Sequence, residues 1–414
     1  MSSQKSNDGK FRAKAERRHR LGQIWLLFFQ AATVVGIIAL MALLLNIINS
    51  SFGYVILEDK LARETLTPSG VTLEDLSRDE LVTIFEENVS LGLFTRYERE
   101  KPFEQRSQAN VYDLVIDFVV EPEIKEQWSL ADSLLKRDEI QTVAVSNYPQ
   151  GYLEFRNWID WDFVRSPQSS FVELAGVRTA IFGSLWTIGI AILFAFPVGV
   201  GAAIYLEEYA EDTFFSRIVQ TNINNLAGVP SIIYGILGLA IFVRALEPLT
   251  SGSFFGVTDP LTANGRTILS AGLTLGLLVL PLIIINAQEA IKAVPNSLRQ
   301  ASSGLGATRW QTIWHHVLPG ALPGILTGTI LAISRAIGET APMVVIGAST
   351  FIQVDPSGPF SKFTTLPIQI FQWTARPQDV FRNLAAAASL TLLIMLLTMN
   401  ASAIFLRNRY GNKQ

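Results

Sequence analysis

Apolar residues along this chain collect in six long runs, approximately Ile24 to Ile48, Val177 to Tyr205, Ile218 to Leu246, Thr267 to Asn286, Leu322 to Ile346 and Leu384 to Leu406. A helix needs about 20 mostly apolar residues to cross the hydrocarbon core of a bilayer, and every run has that length. Between the first two lies a polar insert from Asn49 to about Ser170. Within it, Thr72 to Val89 and Pro122 to Leu135 carry a helical period, whereas Val111 to Val120, Gln141 to Val145 and Gly151 to Trp158 read as strands. The pattern predicts an all-α polytopic membrane protein of six transmembrane helices with a small α+β insert outside the membrane. Residues 1–23 form a basic tail, 24–48 the first span, 49–170 the insert and 171–410 the main membrane domain.

The charges orient these spans. Lys5, Lys10, Arg12, Lys14, Arg17, Arg18 and Arg20 precede the first run and should hold the N-terminus in the cytoplasm. Six crossings return Arg407, Arg409 and Lys413 to that side, together with the loop 289–321 and its Lys292, Arg299 and Arg309. Glu207, Glu208, Glu211 and Asp212 outweigh Arg217 in another cytoplasmic loop, but acidic residues contribute little to orientation. The first run is too long, and lacks the small-residue cleavage site, for a signal peptide. The chain has no cysteine, so the insert must hold itself by its core.

Catalytic chemistry finds little support. There is no Gly-x-x-x-x-Gly-Lys-Ser/Thr phosphate cradle and no Gly-x-Ser-x-Gly elbow. Of only three histidines, His315 and His316 are adjacent and point to different faces of a helix, which disfavours a metal site. A membrane-embedded enzyme would need a catalytic pair within the spans, and none is evident.

Two segments stand out. The fifth run places Arg335 near its middle, where a charge costs roughly 3 kcal/mol. Glu339 lies one turn on and can pair with it; Pro342 releases the Gly338 carbonyl, and Thr340 adds a hydroxyl. The planar arginine fork suits a tetrahedral oxyanion, while the alternative is a buried pair that only locks helices together. The other segment, Glu289 to Pro319, reads as two short helices at an angle. Asn296 and Ser297 can cap the first through Ser303, and Gly304 and Gly306 supply positive φ at its end. Thr308 and Gln311 form a capping box for the second, whose apolar stripe is Trp310, Ile313, Trp314, Val317 and Leu318, with Pro319 and Pro323 limiting it. A surface-lying amphipathic helix is the plainer reading of this stretch.

The spacing Gln300-Ala301-Ser302, Gly306, His316, Leu318-Pro319 resembles the Glu-Ala-Ala signature of ABC importer permeases, with Gln300 and His316 in place of the family's Glu and Ile. The run from Arg335 through Gly338, Glu339, Thr340, Ala341 and Pro342 is similar to PstA-type permease subunits of phosphate-specific ABC importers. So are Gly228 to Gly235, Leu366 to Gln369 with Trp373, and Arg376-Pro377; a PstC-type sister usually continues Met-Ala where this chain has Ala341-Pro342. The resemblance covers about Phe163 to Tyr410 and implies the importer permease fold in a bacterial inner membrane. It also implies a PstC-like partner subunit, a dimer of cytoplasmic ATPases that carries the ATP and magnesium, and an extracytoplasmic phosphate-binding protein. This chain would hold no cofactor of its own and bind no nucleic acid. Arg335, Glu339 and Thr340 would line the substrate pathway, with Asn286, where some relatives carry arginine, and Glu289. Gln300, Ala301, Ser302, Gly306, Leu318 and Pro319 would couple to the ATPase. Sulfate, molybdate or tungstate is an alternative cargo, and a non-transporting, ATPase-docking membrane protein an alternative role. The insert reads equally as a contact for the binding protein or as a structural cap.

Overall fold

A computed structural model describes residues 2–411 apart from 68–71, 101, 170–171, 173–174, 258–263, 349–350 and 353. The side chains of Lys5, Lys10, Arg12, Lys14, Arg17, Arg20 and Lys413 lie outside the described residues. The basic tail and first run form one helix, α1 (Ser2–Ser50). Only Ser51 separates it from strand β1 (Phe52–Asp59) of the insert.

The insert then follows as α2 (Arg78–Asn88), α3 (Leu91–Glu100), α4 (Gln108–Val115), β2 (Pro122–Gln127), α5 (Leu130–Leu135), α6 (Arg137–Asn147) and β3 (Tyr152–Asn157). β1 is the centre of an antiparallel sheet in the order β2-β1-β3, with Asp59 opposite Pro122 and Phe52 opposite Asn157. Its alternation is hidden because Val55, Ile56 and Leu57 are all buried, so both faces are covered.

Three expectations for the insert are corrected. Val111 to Val120 is helical, because Ser107 caps α4 and Val111, Leu114, Val115 and Val119 bury at helical spacing. Gln141 to Val145 lies in α6, where Ile140 and Ala144 turn the same face inward. Pro122 to Gln127 is a strand, its proline tolerated as the first residue of an edge strand. The helix at Leu130–Leu135 and the strand at Tyr152–Asn157 agree with the sequence pattern.

The membrane domain comprises α7 (Arg178–Ile204), α8 (Phe214–Ala227), α9 (Ser231–Gly238), α10 (Ile268–Lys292), α11 (Asn296–Gly304), α12 (Arg309–Thr312), α13 (Leu318–Gly338), α14 (Ala341–Ile346), α15 (Leu366–Thr374) and α16 (Val380–Gly411). Among the described residues five helical stretches are long and apolar enough to span, and a bent pair counted as one span makes a sixth. That pair corrects the straight third run: Phe214–Ala227 and Ser231–Ala245 meet at 106°. Gly228 ends α8, Pro230 has no amide hydrogen to give, and the residue before a proline disfavours helix.

α10 is the central span, buried along most of its length and packed on α7 and α13. Gly324 and Gly328 of α13 face Ala290 and Asn286 of α10 so closely that a β-carbon at Gly328 would lie 2.3 Å from that of Asn286. Such small-residue contacts replace hydrophobic association between helices already in an apolar solvent.

The insert and the Glu289 to Pro319 segment sit at opposite ends of α10. At its N-terminus, Ile268 and Leu269 donate to the carbonyls of Ser361 and Pro359. There the insert shares one core with the bundle, in which Val55, Leu57, Trp158 and Phe163 pack with Leu366, Trp373, Phe381 and Leu384. A separate core of α2, α3 and α4, centred on Phe85, lies beyond the sheet. The amides of Lys60 and Leu61 both reach the Val120 carbonyl, closing a neck at the base of this lobe.

This neck makes the helical lobe removable. Replacing residues 62–119 with a short glycine-serine turn should leave β1 and β2 paired and the spans folded, seen as an unchanged monodisperse profile in detergent and a melting temperature within a few degrees. Aggregation of the shortened chain would show that the lobe supports the bundle.

Candidate functional site

The first site is a break in the membrane helix. α13 ends at Gly338, Glu339 is extended, and α14 starts again at Ala341. The expected uninterrupted run from Leu322 to Ile346 is thereby corrected. Pro342 lies in the first turn of α14, where a missing amide hydrogen costs little. Arg335 Nε meets Glu339 Oε1 at 3.4 Å, a long contact. Its Nη1 and Nη2 have no partner among the described residues, and the side chain is about half exposed. Thr340 is half-buried at the break, its carbonyl accepting the Val344 amide.

Glu339 faces a small void with Ser184 and Thr187 of α7 and Thr365. Next to it runs an unusual density of unsatisfied polar groups. The hydroxyls of Thr364 and Thr365, both amide atoms of Gln369 and the indole nitrogen of Trp373 are buried without a partner among the described residues. Ser184 and Thr187 were not singled out in the sequence, since serine and threonine are common in membrane helices and bond back to their own turns.

Asn286 and Glu289 are not brought to Arg335. Asn286 packs against Gly328, seven residues and so about 10 Å along α13 from Arg335. Glu289 is exposed at the far end of α10, 3.6 Å from Lys292.

The second site is the elbow, α11 and α12. Gly306 adopts φ +85° while Gly304 stays within the helix, so a single glycine makes the turn. The Ala307 amide returns to the Ser302 carbonyl, and the Ser302 and Thr312 hydroxyls meet at 2.9 Å, tying the two helices together. The Thr308–Gln311 capping box is present. No side chain caps α11, however: Pro295 precedes it, and Asn296 instead accepts from Arg299. Nor does the second helix stop at Pro319. A wide π turn over Ile313–Val317 carries it into α13, where Pro319 occupies the first turn. The apolar stripe divides, with Ile313 and Val317 buried and Trp310 and Trp314 stacked at 5.5 Å on the exposed side. Gln300, Ala301 and Leu305 are exposed beside them, whereas Ser302 is buried and Leu318 and Pro319 half-buried.

Arg299 anchors the elbow. It donates from Nε and Nη2 to Glu208 Oε1 at 3.0 and 2.7 Å, and to the carbonyls of Val294 at 2.7 Å and Ile291 at 2.9 Å. Thus one guanidinium satisfies the open carbonyls at the end of α10 and fastens α11 to the turn that follows α7. Alongside, Glu207 accepts from Gln288 at 2.9 Å and pairs with Lys292 at 3.3 Å, while Gln288 reaches Gln220 of α8. The acidic loop that opposes the charge pattern is therefore matched by elbow cations. Sequence alone offered Glu208 and Arg299 only as loop charges, because their partnership spans 91 positions.

Glu208→Ala would leave the carbonyl contacts of Arg299 but cut the tie to α7. Losing one partner of a half-buried ion pair costs about 2 kcal/mol, so amide exchange in α11 should accelerate roughly thirty-fold while α13 is unchanged. Equal exchange in both proteins, read by mass spectrometry, would mean that the pair holds nothing in place.

The sequence profile of the family described as binding-protein-dependent transport system inner membrane component matches residues 195–412. The probable ABC transporter permease protein YqgI of Bacillus subtilis is 30% identical over 262 residues, 60% of this chain and 83% of the relative. The phosphate transport system permease protein PstA 1 of Mycobacterium tuberculosis H37Rv is 35% identical over 233 residues, 56% of this chain and 70% of the relative. Among solved structures, an inward-facing MetNI methionine ABC transporter is similar at 19% identity and a TM-score of 0.41, over 57% of this chain and 96% of that one. The profile match leaves out α1 and the insert.

Proposed function

Since the chain belongs to the family of binding-protein-dependent transport system inner membrane components, the permeases of ABC importers, we propose that its cargo is inorganic phosphate. The observation that carries this reading is Arg335 at a helix break, with two unpaired guanidinium nitrogens beside Glu339. A planar fork bonds two oxygens of a tetrahedral oxyanion at once. The Glu339 carboxylate accepts from a protonated phosphate oxygen, a donor that sulfate lacks at neutral pH, and so favours phosphate over sulfate. The similarity to a Mycobacterium permease named for phosphate transport is consistent with this choice.

In the proposed cycle a binding protein delivers phosphate at the insert end, which faces outward, while both termini and the elbow face the cytoplasm. A PstC-like subunit completes the pore, and two ATPases grip the exposed surface of Gln300, Ala301, Leu305, Trp310 and Trp314. ATP and magnesium reside on those ATPases. Their closure moves the elbow, and the continuous helix from Arg309 to Gly338 carries the movement to Arg335 without an intervening joint. With Glu339 ionised the site is nearly neutral, binds its ion weakly and releases it readily.

Arg335→Lys keeps the charge and loses the fork; it should lower phosphate uptake by reconstituted complexes at least ten-fold while assembly is retained. Normal uptake would remove Arg335 from the pathway, and faster uptake of sulfate or molybdate than of phosphate by the wild type would reassign the cargo.

A further test addresses the elbow. At φ +85° a β-branched residue is strongly disfavoured, so Gly306→Val should re-aim the Trp310 face. Hydrolysis by the assembled complex should then no longer rise with loaded binding protein, whereas Gln300→Glu should be harmless. Full stimulation in the valine variant would exclude the elbow as the transmission point.

A further inference from the structure

The insert carries a short helix whose apolar side chains no described residue covers. In α5, Leu134 and Leu135 are neighbours in sequence and 71% and 84% exposed; Leu91 and Val145 are exposed singly elsewhere in the insert. Lys136 and Arg137 follow at once and are also exposed.

The position of α5 identifies what meets this face. The Ala131 amide donates to Asn49 Oδ1 at 2.7 Å, in the last turn of α1, and the Tyr54 amide donates to Ser133 Oγ at 2.8 Å, a few residues past its end. α5 is therefore held at the level where α1 leaves the membrane. α1 itself exposes apolar side chains almost to that point, through Leu43 and Leu45, as a lipid-facing helix does. Since Ser51 alone joins α1 to β1, and the Trp158 amide bonds back to the Ser51 carbonyl, the sheet cannot lift away from the bilayer.

We propose that α5 is an interfacial anchor that docks the insert on the lipid surface, with Leu134 and Leu135 entering the headgroup and acyl boundary and Arg137 meeting lipid phosphates, while Lys136 pairs with Asp132 at 3.0 Å. Two exposed leucines followed by an exposed arginine match the apolar-below, cationic-above order of that interface. The anchor sets the height of the sheet over the membrane and, through the core shared with Trp373 and Phe381, braces the outer ends of α15 and α16. It does not depend on what the protein transports.

Because the chain has no cysteine, a single spin label reports on a single site. Labels at Leu134→Cys and Leu135→Cys, in nanodiscs of phosphatidylethanolamine and phosphatidylglycerol, are compared with Ile38→Cys within α1 and Leu91→Cys on the distal lobe, itself 80% exposed. Labels at 134 and 135 should be accessible to oxygen and shielded from nickel-EDDA, at a depth between Ile38 and the aqueous phase, while the label at 91 should be open to nickel-EDDA. Exposure of 134 and 135 equal to that of 91 would place α5 in water. Shielding from both reagents would mean that protein covers the face. Either result overturns the proposal.

Discussion

A bilayer interior offers no water, so every amide, carbonyl and charge carried into it must find a partner within the protein. The spans meet most of that demand through helical hydrogen bonding, interrupted at Pro197, Pro281 and Pro323, and many of their polar side chains bond back to their own helices, as Thr187 does to Gly183 and Thr329 to Ile325. Larger departures lie at the Gly228 to Pro230 bend, at Gly338 to Pro342, where the helix breaks beside Arg335, and along Thr364 to Trp373, where buried polar atoms have no partner among the described residues. Polar groups without partners are costly in an apolar surrounding.

The same constraint shapes the elbow end. A helix that terminates leaves open carbonyls, and at the end of α10 these are taken by Arg299, which simultaneously holds Glu208. Capping and anchoring are thus one contact. The buried faces of Ile313 and Val317 seat the elbow on the bundle, and the tryptophans left outside give it a surface for something else. Because α12 runs on through a π turn into α13, the exposed surface and Arg335 share one continuous helix.

In the insert, residue pattern and structure diverge for definable reasons. Valine-rich Val111 to Val120 carries strand propensity, yet its burial follows a helical period, and the tertiary core decided between them. β1 escaped notice for the opposite reason: a strand covered on both faces shows no alternation. In the membrane domain the apolar runs located most spans within a few residues, since length and composition alone satisfy the bilayer, but the helix that reaches Gly338 begins at Arg309, well before the expected Leu322. Its bend at Gly228 to Pro230 and its break at Glu339 were visible as glycine and proline but not as angles.

Sequence by itself determined the membrane class, the turn at Gly306 and the pairing of Arg335 with Glu339, all of which rest on local composition or on neighbours within a turn or two. Tertiary structure alone decided that Glu208 meets Arg299, that Asn286 packs on Gly328 about 10 Å from Arg335, and that Ser184, Thr187 and Thr365 surround Glu339. Those partners are tens to well over a hundred positions apart, and no local periodicity encodes which helices are adjacent. Adjacency comes from the close approach of α7, α10 and α13, which only the packed bundle specifies.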